Sequence, residues 1–527
     1  MKQVRIYIWI LSIGIGLASC IVLPFLFDPL SIPRYVLLSI PVFYCLIVYF
    51  FSEQKFSLSL PDLFFIGFMV WSLLGIYNAH DVPESIVALL KYIVFFALYK
   101  LSSYFTKQSA QAFVTIISRT FIVVNSISII LLIIAIYLLP SCATFEDLYS
   151  IRGLHGHKNL AASYFVFSLP FIVLYAVNSA KRMQYFAYSV AIASVALLFF
   201  IDSRAAVLSL IAVLVVSALF YAKNIAENIQ KIKTIFVISF LALGLSLALK
   251  YIVFCGVLFP LHDTKQTQHI TNFYYNQNTE TRKFVTTSAL ERVELWKKTL
   301  SIIRDNPVVG VGLENWKFEY PKYTLTGLVR TEVENINFLS PHNDFLWIAS
   351  ETGIVGLLLY CIFLGLILWN SIVKYKQNEW YKNAAILSIL AVLTNSLFDF
   401  PHQTLAHMIV FFVSLGILHA SVKPLFFMQN KYVKYGVIAL VGFIIFVMWY
   451  RIQGEYYSAM ITQKGQRNKD EYCSKAKSML YTTNALAMPI DWYYGNILAK
   501  QGKIDQAKVL FENALIIAPY NRFVIQD

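Results

Sequence analysis

Residues 340–372 read SPHNDFLWIASETGIVGLLLYCIFLGLILWNSI, a short polar stretch followed by a long apolar one. From residue 343 onward, the run is long enough to cross the hydrocarbon core of a bilayer as a helix. The ionisable groups at the edge of this run and inside it include His342 and Glu351. Such groups are costly near a membrane interior, so we expect each of them to have a structural or chemical role.

The rest of the chain has the same apolar character. Its 527 residues are 58% hydrophobic and 14% charged, with a mean hydropathy of +0.62, whereas soluble domains carry about 25% charged residues. We therefore predict an all-α polytopic membrane protein whose first apolar block is a retained span and not a signal peptide. The apolar blocks predict about thirteen spans, at 6–26, 35–51, 62–78, 85–101, 114–139, 160–178, 186–201, 205–222, 234–258, 343–372, 384–399, 404–422 and 434–450.

The net charge of +14 is distributed unevenly between the two sides of the predicted bundle. If the N-terminus lies inside, the inner loops carry many lysines and arginines, whereas the short outer loop at 78–85 has none. This positive-inside pattern is typical of an inner-membrane protein and explains much of the basic excess without a nucleic-acid partner. It also places the long loop at 259–342 and the tail after the thirteenth span on the outer side.

Four segments follow from this arrangement. We predict spans 1–9 within residues 1–258, a large periplasmic loop at 259–342, spans 10–13 within 343–450, and a polar tail at 451–527.

The tail has a different sequence rhythm. Residues 491–521 read DWYYGNILAKQGKIDQAKVLFENALIIAPYN, with small and aromatic residues spaced as in a tetratricopeptide repeat, and residues 470–489 look like the second half of a preceding repeat. One and a half repeats bury little core alone. We therefore expect the tail either to lean on the outer face of the membrane domain or to bind a protein partner.

The six cysteines indicate neither a zinc site nor a redox motif, because no C-x-x-C is present. Cys142 and Cys473 both fall on the predicted outer side. A disulfide between them is one alternative, and two free thiols are the other.

Several polar motifs fall on the outer side, and each opens or precedes a helix. Their shared location is more informative than any one of them. The motifs are IRGLHGHKNLAASY (151–164), DSRAA (202–206), ERVELW (291–296), NPVVGVG (306–312) and SPHNDFL (340–346).

Two arginines in these motifs are candidate ligands for an anion. Arg204 lies between two apolar blocks with almost no loop, where its guanidinium either reaches lipid phosphates or binds a diphosphate near a helix N-terminus. Arg292 lies on an amphipathic helix predicted at 288–304, where it is either solvated and paired with a neighbouring glutamate or part of the same anion site.

A second group of donors is dense around residue 155. Arg152, His157, Lys158 and Asn159 are candidate substrate-binding residues for a phosphate or a sugar. No carboxylate cluster at ligand spacing completes a metal site with the H-x-H pair, so we predict no metal. Lys91 is an isolated cation within a predicted span, where it either helps to bind the same anion or pairs with a carboxylate.

The opening stretch predicts a helix start. Ser340 is a good N-cap and Pro341 suits the first helical position, so His342 is expected in the first turn. A helix N-terminus disfavours imidazolium, and a neutral imidazole can accept a proton from a hydroxyl. Asn343 is a further candidate substrate-binding residue. Glu351, two and a half turns on, is too far for direct contact and is expected to brace the structure.

At this point the sequence resembles a known family. Residues 342–353, HNDFLWIASETG, look like the H-N-x-x-L-x-x-x-x-E-x-G signature of the superfamily of O-antigen ligases, O-antigen polymerases and protein O-oligosaccharyltransferases. The other outer motifs appear in the expected order, and the resemblance covers roughly residues 1–422.

The resemblance implies a transmembrane helix bundle of the GT-C glycosyltransferase type. It implies metal-independent, inverting transfer of a glycan from undecaprenyl diphosphate to an acceptor hydroxyl at the periplasmic face, with no cofactor. By the same resemblance, Arg204 and Arg292 would hold the diphosphate, and His342 would act as base or orient the acceptor. The acceptor would be a lipid A–core sugar, another glycan, or a Ser or Thr of a protein.

The chain departs from lipopolysaccharide ligases, which commonly stop after twelve spans. A thirteenth span and a repeat tail look more like polymerases or protein O-oligosaccharyltransferases. Outside this superfamily, a polysaccharide-precursor transporter would show internal repeats and broken helices at mid-membrane. The sequence has no such symmetry, and its polar groups cluster at one face.

Overall fold

The computed structural model describes residues 2–51, 56–139, 151–222, 225–254, 281–326, 328, 331, 337–374, 379–428, 431–463, 465–466, 468–478 and 480–526. Most of these residues are helical. The helices are α1 (Lys2–Cys20), α2 (Ser31–Phe51), α3 (Leu60–Leu74), α4 (Val82–Tyr137), α5 (Lys158–Val177), α6 (Lys181–Ile201), α7 (Arg204–Ala222), α8 (Ile225–Phe254), α9 (Thr281–Asp305), α10 (Trp316–Glu319), α11 (Asp344–Val373), α12 (Trp380–Ser396), α13 (Leu405–His419), α14 (Lys431–Thr462), α15 (Lys469–Ala476), α16 (Ile490–Lys500), α17 (Ile504–Ile517) and α18 (Arg522–Gln526).

The prediction of an all-α polytopic membrane protein is confirmed. Among the described residues, eight helical stretches are long and apolar enough to cross a membrane, in α1, α2, α3, α4, α5, α6, α11 and α14. Shorter apolar segments lie in α7, α8 and α13. Every predicted span overlaps a helix, although α1 ends at Cys20 and not at residue 26, ahead of the helix-breaking Pro24. The count of thirteen crossings stays a prediction.

Helix α4 covers two predicted spans. It runs for 56 residues, but the backbone at Ser109 is non-helical, with φ −163° and ψ 85°. The helix begins after Asp81, whose side chain accepts a hydrogen bond from the backbone N–H of Glu84. This N-cap satisfies one of the free donors of the first turn.

Helix α13 lies in the core of the bundle, and all of its residues are buried. It packs against α4, α5 and α12. Gly416 allows the closest approach, because a Cβ there would overlap the carbonyl of Tyr99 and the side chain of Ser102. A helix that is apolar all round is stable only when neighbouring helices enclose it.

Helix α11 is interrupted near its start. Gly353 has φ 70° and ψ 177°, which breaks the helical ladder. The predicted NPVVGVG motif lies across the break: the carbonyl of Pro307 accepts from Ile354 N at 2.8 Å, and Gly312 N donates to the carbonyl of Glu351 at 2.9 Å. The motif therefore replaces hydrogen bonds that the interrupted helix cannot make for itself.

Two short strands interrupt the otherwise helical fold. β1 (Phe56–Leu58) and β2 (Phe426–Met428) pair antiparallel, with Phe56 opposite Met428. They tie the segment before α3 to the segment after α13. The sequence analysis did not predict them, because three-residue strands leave almost no periodic pattern.

The tail differs from the prediction in its first part. Helix α14 continues to Thr462, beyond the predicted boundary at residue 450, and α15 ends at Ala476. Residues 480–489 are non-helical, so the expected second half of a preceding repeat is wrong. They form a bridge from Thr483 to Pro489, because Asn484 binds backbone groups of Leu486 and Met488 instead of continuing a helix.

The last part of the tail is a helical hairpin. Helices α16 and α17 pack against each other, and Gly495 lies directly against the ring of Phe511. This is the contact expected of a tetratricopeptide unit. Membership of that repeat family stays a prediction.

The tail leans on the outer loop, as one of the two alternatives expected. Phe318 of α10 packs in one apolar cluster with Ala487, Met488, Ala514 and Ala518. Cys473 is buried, and Cys142 lies outside the described residues, so their pairing stays a hypothesis. Residues 259–280 of the predicted large loop also lie outside the described part of the chain.

Candidate active site

His342 lies two residues ahead of Asp344, the first residue of helix α11, and not in the first turn, which corrects the predicted helix start. The N-cap is Asn343, whose side-chain oxygen accepts from Leu346 N at 3.0 Å. Asn343 also donates to the carbonyl of Leu397 at 3.0 Å. Because Asn343 takes the capping role, His342 occupies a left-handed conformation with φ 55°. Side chains other than glycine adopt this region only when surrounding contacts hold them there.

The imidazole of His342 faces a buried carboxylate. Its Nδ1 is 3.5 Å from Oδ1 of Asp399, which is 3% exposed, and its ring meets that of Phe400 edge-on at 4.8 Å. Asp399 lies in the loop between α12 and α13. A carboxylate beside Nδ1 attracts a proton onto the ring, which opposes the predicted effect of the helix N-terminus.

Asp399 stays ionised in this environment. Burial alone would raise the pKa of its carboxyl, but a hydrogen bond and charge attraction from His342, with a contribution from Arg292, hold that pKa below its ordinary value. The carboxylate also accepts from the backbone N–H of Phe400 at 3.1 Å. A buried negative charge next to an imidazole stabilises the protonated ring, as in catalytic histidine–aspartate pairs.

Arg292 lies on α9, near enough to contribute to the electrostatics of Asp399. This helix is held against the start of α11 by Trp296, whose Nε1 donates to the carbonyl of Pro341 at 2.9 Å. Its buried face, with Leu295 and Ile302, packs in a cluster with Trp316. Helix α9 thus uses one apolar face for packing on the protein.

Arg204 lies at the same end of the bundle but apart from this group. It is the first residue of α7, follows Asp202 in a left-handed conformation with φ 61°, and its side chain is exposed. No hydrogen bond or ion pair between described residues joins it to His342. Its predicted role as a diphosphate ligand stays a prediction.

The donors of the GLHGHKN stretch take different positions. His157 is the N-cap of α5, and its Nδ1 accepts from Asn159 N at 3.2 Å. Lys158 is buried, whereas Arg152 is exposed. A substrate contact from these four residues stays a prediction. Over the described residues, no group of three His, Cys, Asp or Glu side chains is arranged to hold a metal ion.

Lys91 faces a carboxylate across a small cavity of about 40 Å³. Its Nζ is 3.8 Å from Oε1 of Glu314 and 5.2 Å from the ring centre of Tyr35. His402 also lines this cavity, and burial, with the charge of Lys91, lowers its pKa to about 4. Of the two predicted alternatives for Lys91, pairing with a carboxylate is the contact that the structure contains.

Glu351 connects two elements. It is 5% exposed, and its Oε1 accepts from Trp347 Nε1 at 2.6 Å and from the backbone N–H of Trp316 at 3.1 Å. The side chain thus joins α11 to the start of α10. These are the contacts of a bracing residue, and that role stays a prediction.

Sequence reasoning missed the loop after α12. Residues 399–402 read DFPH, which repeats the Pro-His pair of SPHND at a second helix boundary. Asp344 fixes this loop to the start of α11, since its Oδ2 accepts from Ser396 Oγ at 2.8 Å and from His402 N at 3.3 Å. The repeated Pro-His pair is the signal that could have drawn attention to Asp399.

A comparison with protein-family models finds a match to the O-antigen ligase family over residues 188–361. This match over about a third of the chain supports membership in the superfamily of O-antigen ligases and polymerases. The match includes Arg204, Arg292 and His342 and ends within α11, so the tail lies outside it. No curated protein matches the chain.

The match also supports a coarse functional class. It is consistent with an enzyme of the glycosyltransferase type that works on a lipid-linked glycan in a membrane. The apolar helices of this chain make it a multi-pass membrane protein.

Proposed function

We propose that this protein transfers a glycan from undecaprenyl diphosphate to an acceptor hydroxyl at the periplasmic face of a bacterial inner membrane. The observation that carries the proposal is the contact between His342 and Asp399 ahead of α11, with Arg292 near enough to contribute to the lowered pKa of Asp399. This group combines a base, a carboxylate that positions the base, and an anion ligand. A transfer from a diphosphate needs these functions, because the donor already contains a good leaving group.

The reaction proceeds as a single displacement. His342 accepts the proton of the acceptor hydroxyl, and the oxygen attacks the anomeric carbon as the bond to the diphosphate oxygen breaks. Asp399 stabilises the resulting imidazolium. Arg292, together with Arg204, holds the charge of the departing diphosphate. Configuration at the anomeric carbon is inverted, and the arginines supply the positive charge without a metal or another cofactor.

The same site is compatible with three classes of acceptor. A lipid A–core sugar makes the protein a ligase, a second glycan makes it an O-antigen or exopolysaccharide polymerase, and a Ser or Thr makes it a protein O-oligosaccharyltransferase. Deleting the gene and comparing the lipopolysaccharide ladder, the free polymer length and the glycoprotein bands identifies the acceptor, because the product that disappears names it.

The base is tested by His342→Ala in the purified protein. We expect the variant to insert, fold and bind the lipid-linked glycan as the wild type does. Its transfer rate should fall by about 100-fold or by a larger factor, because a general base is lost. Full transfer activity in this variant would rule out His342 as the base. The transporter alternative predicts no transfer by the wild type at all.

The diphosphate ligand is tested by Arg292→Gln. We expect weaker donor binding, measured by titration with undecaprenyl diphosphate, because the guanidinium no longer compensates the anion. The matched control is Arg304→Gln on the same helix, whose guanidinium is 76% exposed and pairs with Asp305. Equal donor affinity in the two variants would remove Arg292 from the anion site.

A further inference from the structure

A second cluster of charges lies at the opposite end of the bundle from His342. Helix α4 leaves the candidate site near Glu84, and Lys100 follows sixteen residues later, which is about 24 Å along a helix axis. Lys100 is 9% exposed, and its Nζ donates to Oδ2 of Asp62 at 2.7 Å and to the carbonyl of Ser57 at 2.9 Å. This lysine charge is therefore already compensated inside the protein.

The hydrogen bonds to the buried carboxylate of Asp62 reach its Oδ2 atom. Asp62 closes the N-terminus of α3 by accepting from Ser59 N at 2.7 Å. His419, at the end of α13, shares hydrogen bonds with Ser59 Oγ at 2.8 Å and Ser103 Oγ at 2.9 Å. Asp62 thus has Lys100, Ser59 and the nearby imidazole around it.

A cavity of about 280 Å³ opens beside this pair. Its volume is about twenty times the 10–15 Å³ that one water needs. Four of the twelve lining residues are aromatic, and the polar groups are concentrated on α4. The lining residues are Leu46, Tyr49, Phe56, Ser57, Lys100, Leu101, Ser103, Tyr104, Lys107, Gln108, Pro424 and Phe427.

Lys107 gives the cavity a positive charge. Its side chain is exposed, and no carboxylate of the described residues lies within 4 Å of its ammonium group. Lys100 is in direct contact with Asp62, whereas Asp62 attracts Lys107 only from beyond 4 Å, so Lys107 is the less compensated of the two lining lysines. The cavity therefore favours an anion.

The surroundings of the cavity favour an anion that carries hydrocarbon chains. Phe51, Leu425 and Phe427 are 59%, 57% and 59% exposed, and Phe427 also lines the cavity. The pairing of β1 with β2 joins the segment before α3 to the segment that contains Phe427, beside the cavity. Apolar side chains beside a basic pocket between helices match a phospholipid, with its headgroup in the pocket and its chains along the protein.

We propose that this cavity binds the phosphate headgroup of an anionic phospholipid, with Lys107 as the charged contact and Gln108 and Tyr104 as neutral donors. The site is distinct from the candidate active site and does not depend on the proposed transfer reaction. Its ligand would be a structural lipid at the far end of the bundle.

The test is native mass spectrometry of the full chain, released from nanodiscs that contain phosphatidylglycerol and phosphatidylcholine. The wild type should retain phosphatidylglycerol in preference to phosphatidylcholine. Lys107→Gln should retain about fivefold less, in line with the contribution of one basic residue, and Lys107→Arg should restore retention. The matched control is Lys181→Gln, which removes the same charge at the start of α6, away from the cavity. Lys100 is left intact, since its loss would leave Asp62 buried without its partner.

Three outcomes would overturn the proposal. Equal retention of phosphatidylglycerol by Lys107→Gln and Lys181→Gln would show that Lys107 is not the contact. Equal retention of both lipids by the wild type would indicate a site for acyl chains only.

A competition experiment separates a lipid from a soluble anion. Displacement of the lipid by inorganic phosphate, but not by chloride at the same ionic strength, would support a phosphate site. Binding of inorganic phosphate without any retained lipid would instead assign it to a soluble anion.

Discussion

At the scale of single residues, the candidate site depends on an imidazole held in an unfavourable backbone conformation. His342 has φ 55°, which costs of order 1–3 kcal/mol for a residue with a side chain. Trp296 on one side and Asn343 on the other fix the backbone around it. The cost is explained if the position of the ring, 3.5 Å from Asp399, matters more than local stability.

Asp399→Asn tests the positioning role of this carboxylate. We expect turnover to fall by about 100-fold, because the amide cannot stabilise imidazolium, while donor binding stays unchanged. The acid limb of the pH–rate profile should move to lower pH, since the imidazole holds its proton less tightly without the negative charge. The control is Asp305→Asn, a carboxylate of α9 that pairs with Arg304. An unshifted profile would mean that Asp399 has only a packing role.

We also expect Asp399→Asn to change how the stability of the fold depends on pH. The pKa of Asp399 is below its ordinary value in the folded protein, so the ionised group favours folding above about pH 4, its unfolded value. That contribution is lost as the pH falls through the lower folded value. The melting temperature of the wild type should therefore approach that of Asp399→Asn in acid and exceed it near pH 7. A constant difference across this range would contradict the assignment.

At the scale of elements, the break in α11 determines where the outer loop can lie. Gly353 has φ 70°, and a Cβ there would overlap the carbonyl of Val308. The backbone of 307–312 fills the break by hydrogen bonds to α11, and Glu351 holds Trp316 beyond it. The NPVVGVG and ETG motifs are thus two halves of one contact.

Gly353→Ala should strongly disrupt this contact. We expect a loss of roughly 1–3 kcal/mol from the positive φ alone, and more from the overlap with Val308. The measurement is the thermal unfolding midpoint in detergent, together with transfer activity. Gly365→Ala is the matched control within α11, because a Cβ at Gly365 meets nothing within 4 Å and alanine favours a helix. Equal melting temperatures for the two variants would contradict this account of the break.

At the scale of the whole molecule, the tail is joined to the outer loop and to α4 by buried charges. Glu84 pairs with Arg451 of α14 at 2.6 Å and with Lys317 at 2.8 Å. Burial by itself would lower the pKa of Lys317, but Glu84 and Glu314 hold it above its ordinary value. Asp81 accepts from the hydroxyls of Thr482 and Thr483. The tail therefore reaches the loop that also contacts Glu351.

The double variant Thr482→Val and Thr483→Val should loosen the tail. Asp81 would lose its hydroxyl donors while staying buried, at a cost of about 1.5–3 kcal/mol for each hydrogen bond to a charged group. Limited proteolysis should cut between α14 and α16 faster, with the bundle intact. Thr462→Val is the control, because the Thr462 hydroxyl bonds only to backbone carbonyls of its own helix. Unchanged cleavage in the double variant would show that these contacts do not hold the tail.

Local patterns predicted most of the helices and part of the site. Apolar blocks located the spans, and the signature around His342 located the family, because each depends on residues that are neighbours in the chain. The helix start was wrong by a few residues, since Ser340 and Asn343 are both good caps and only packing selects between them. The half-repeat at 470–489 failed for a similar reason: Asn484 makes local turns that compete with a helix.

The sequence by itself determined the membrane class. It indicated the superfamily, and it predicted roles for His342 and Arg292 and a gathering of polar groups at one face. Only the tertiary structure decided that Asp399 is the partner of His342, that Lys91 faces Glu314, and that a basic cavity lies at the far end beside Lys107. Hydrophobic periodicity reports which face of a helix avoids water, and this is a local property. Which charged groups meet across different helices depends on how all the helices pack, and no local pattern contains that information.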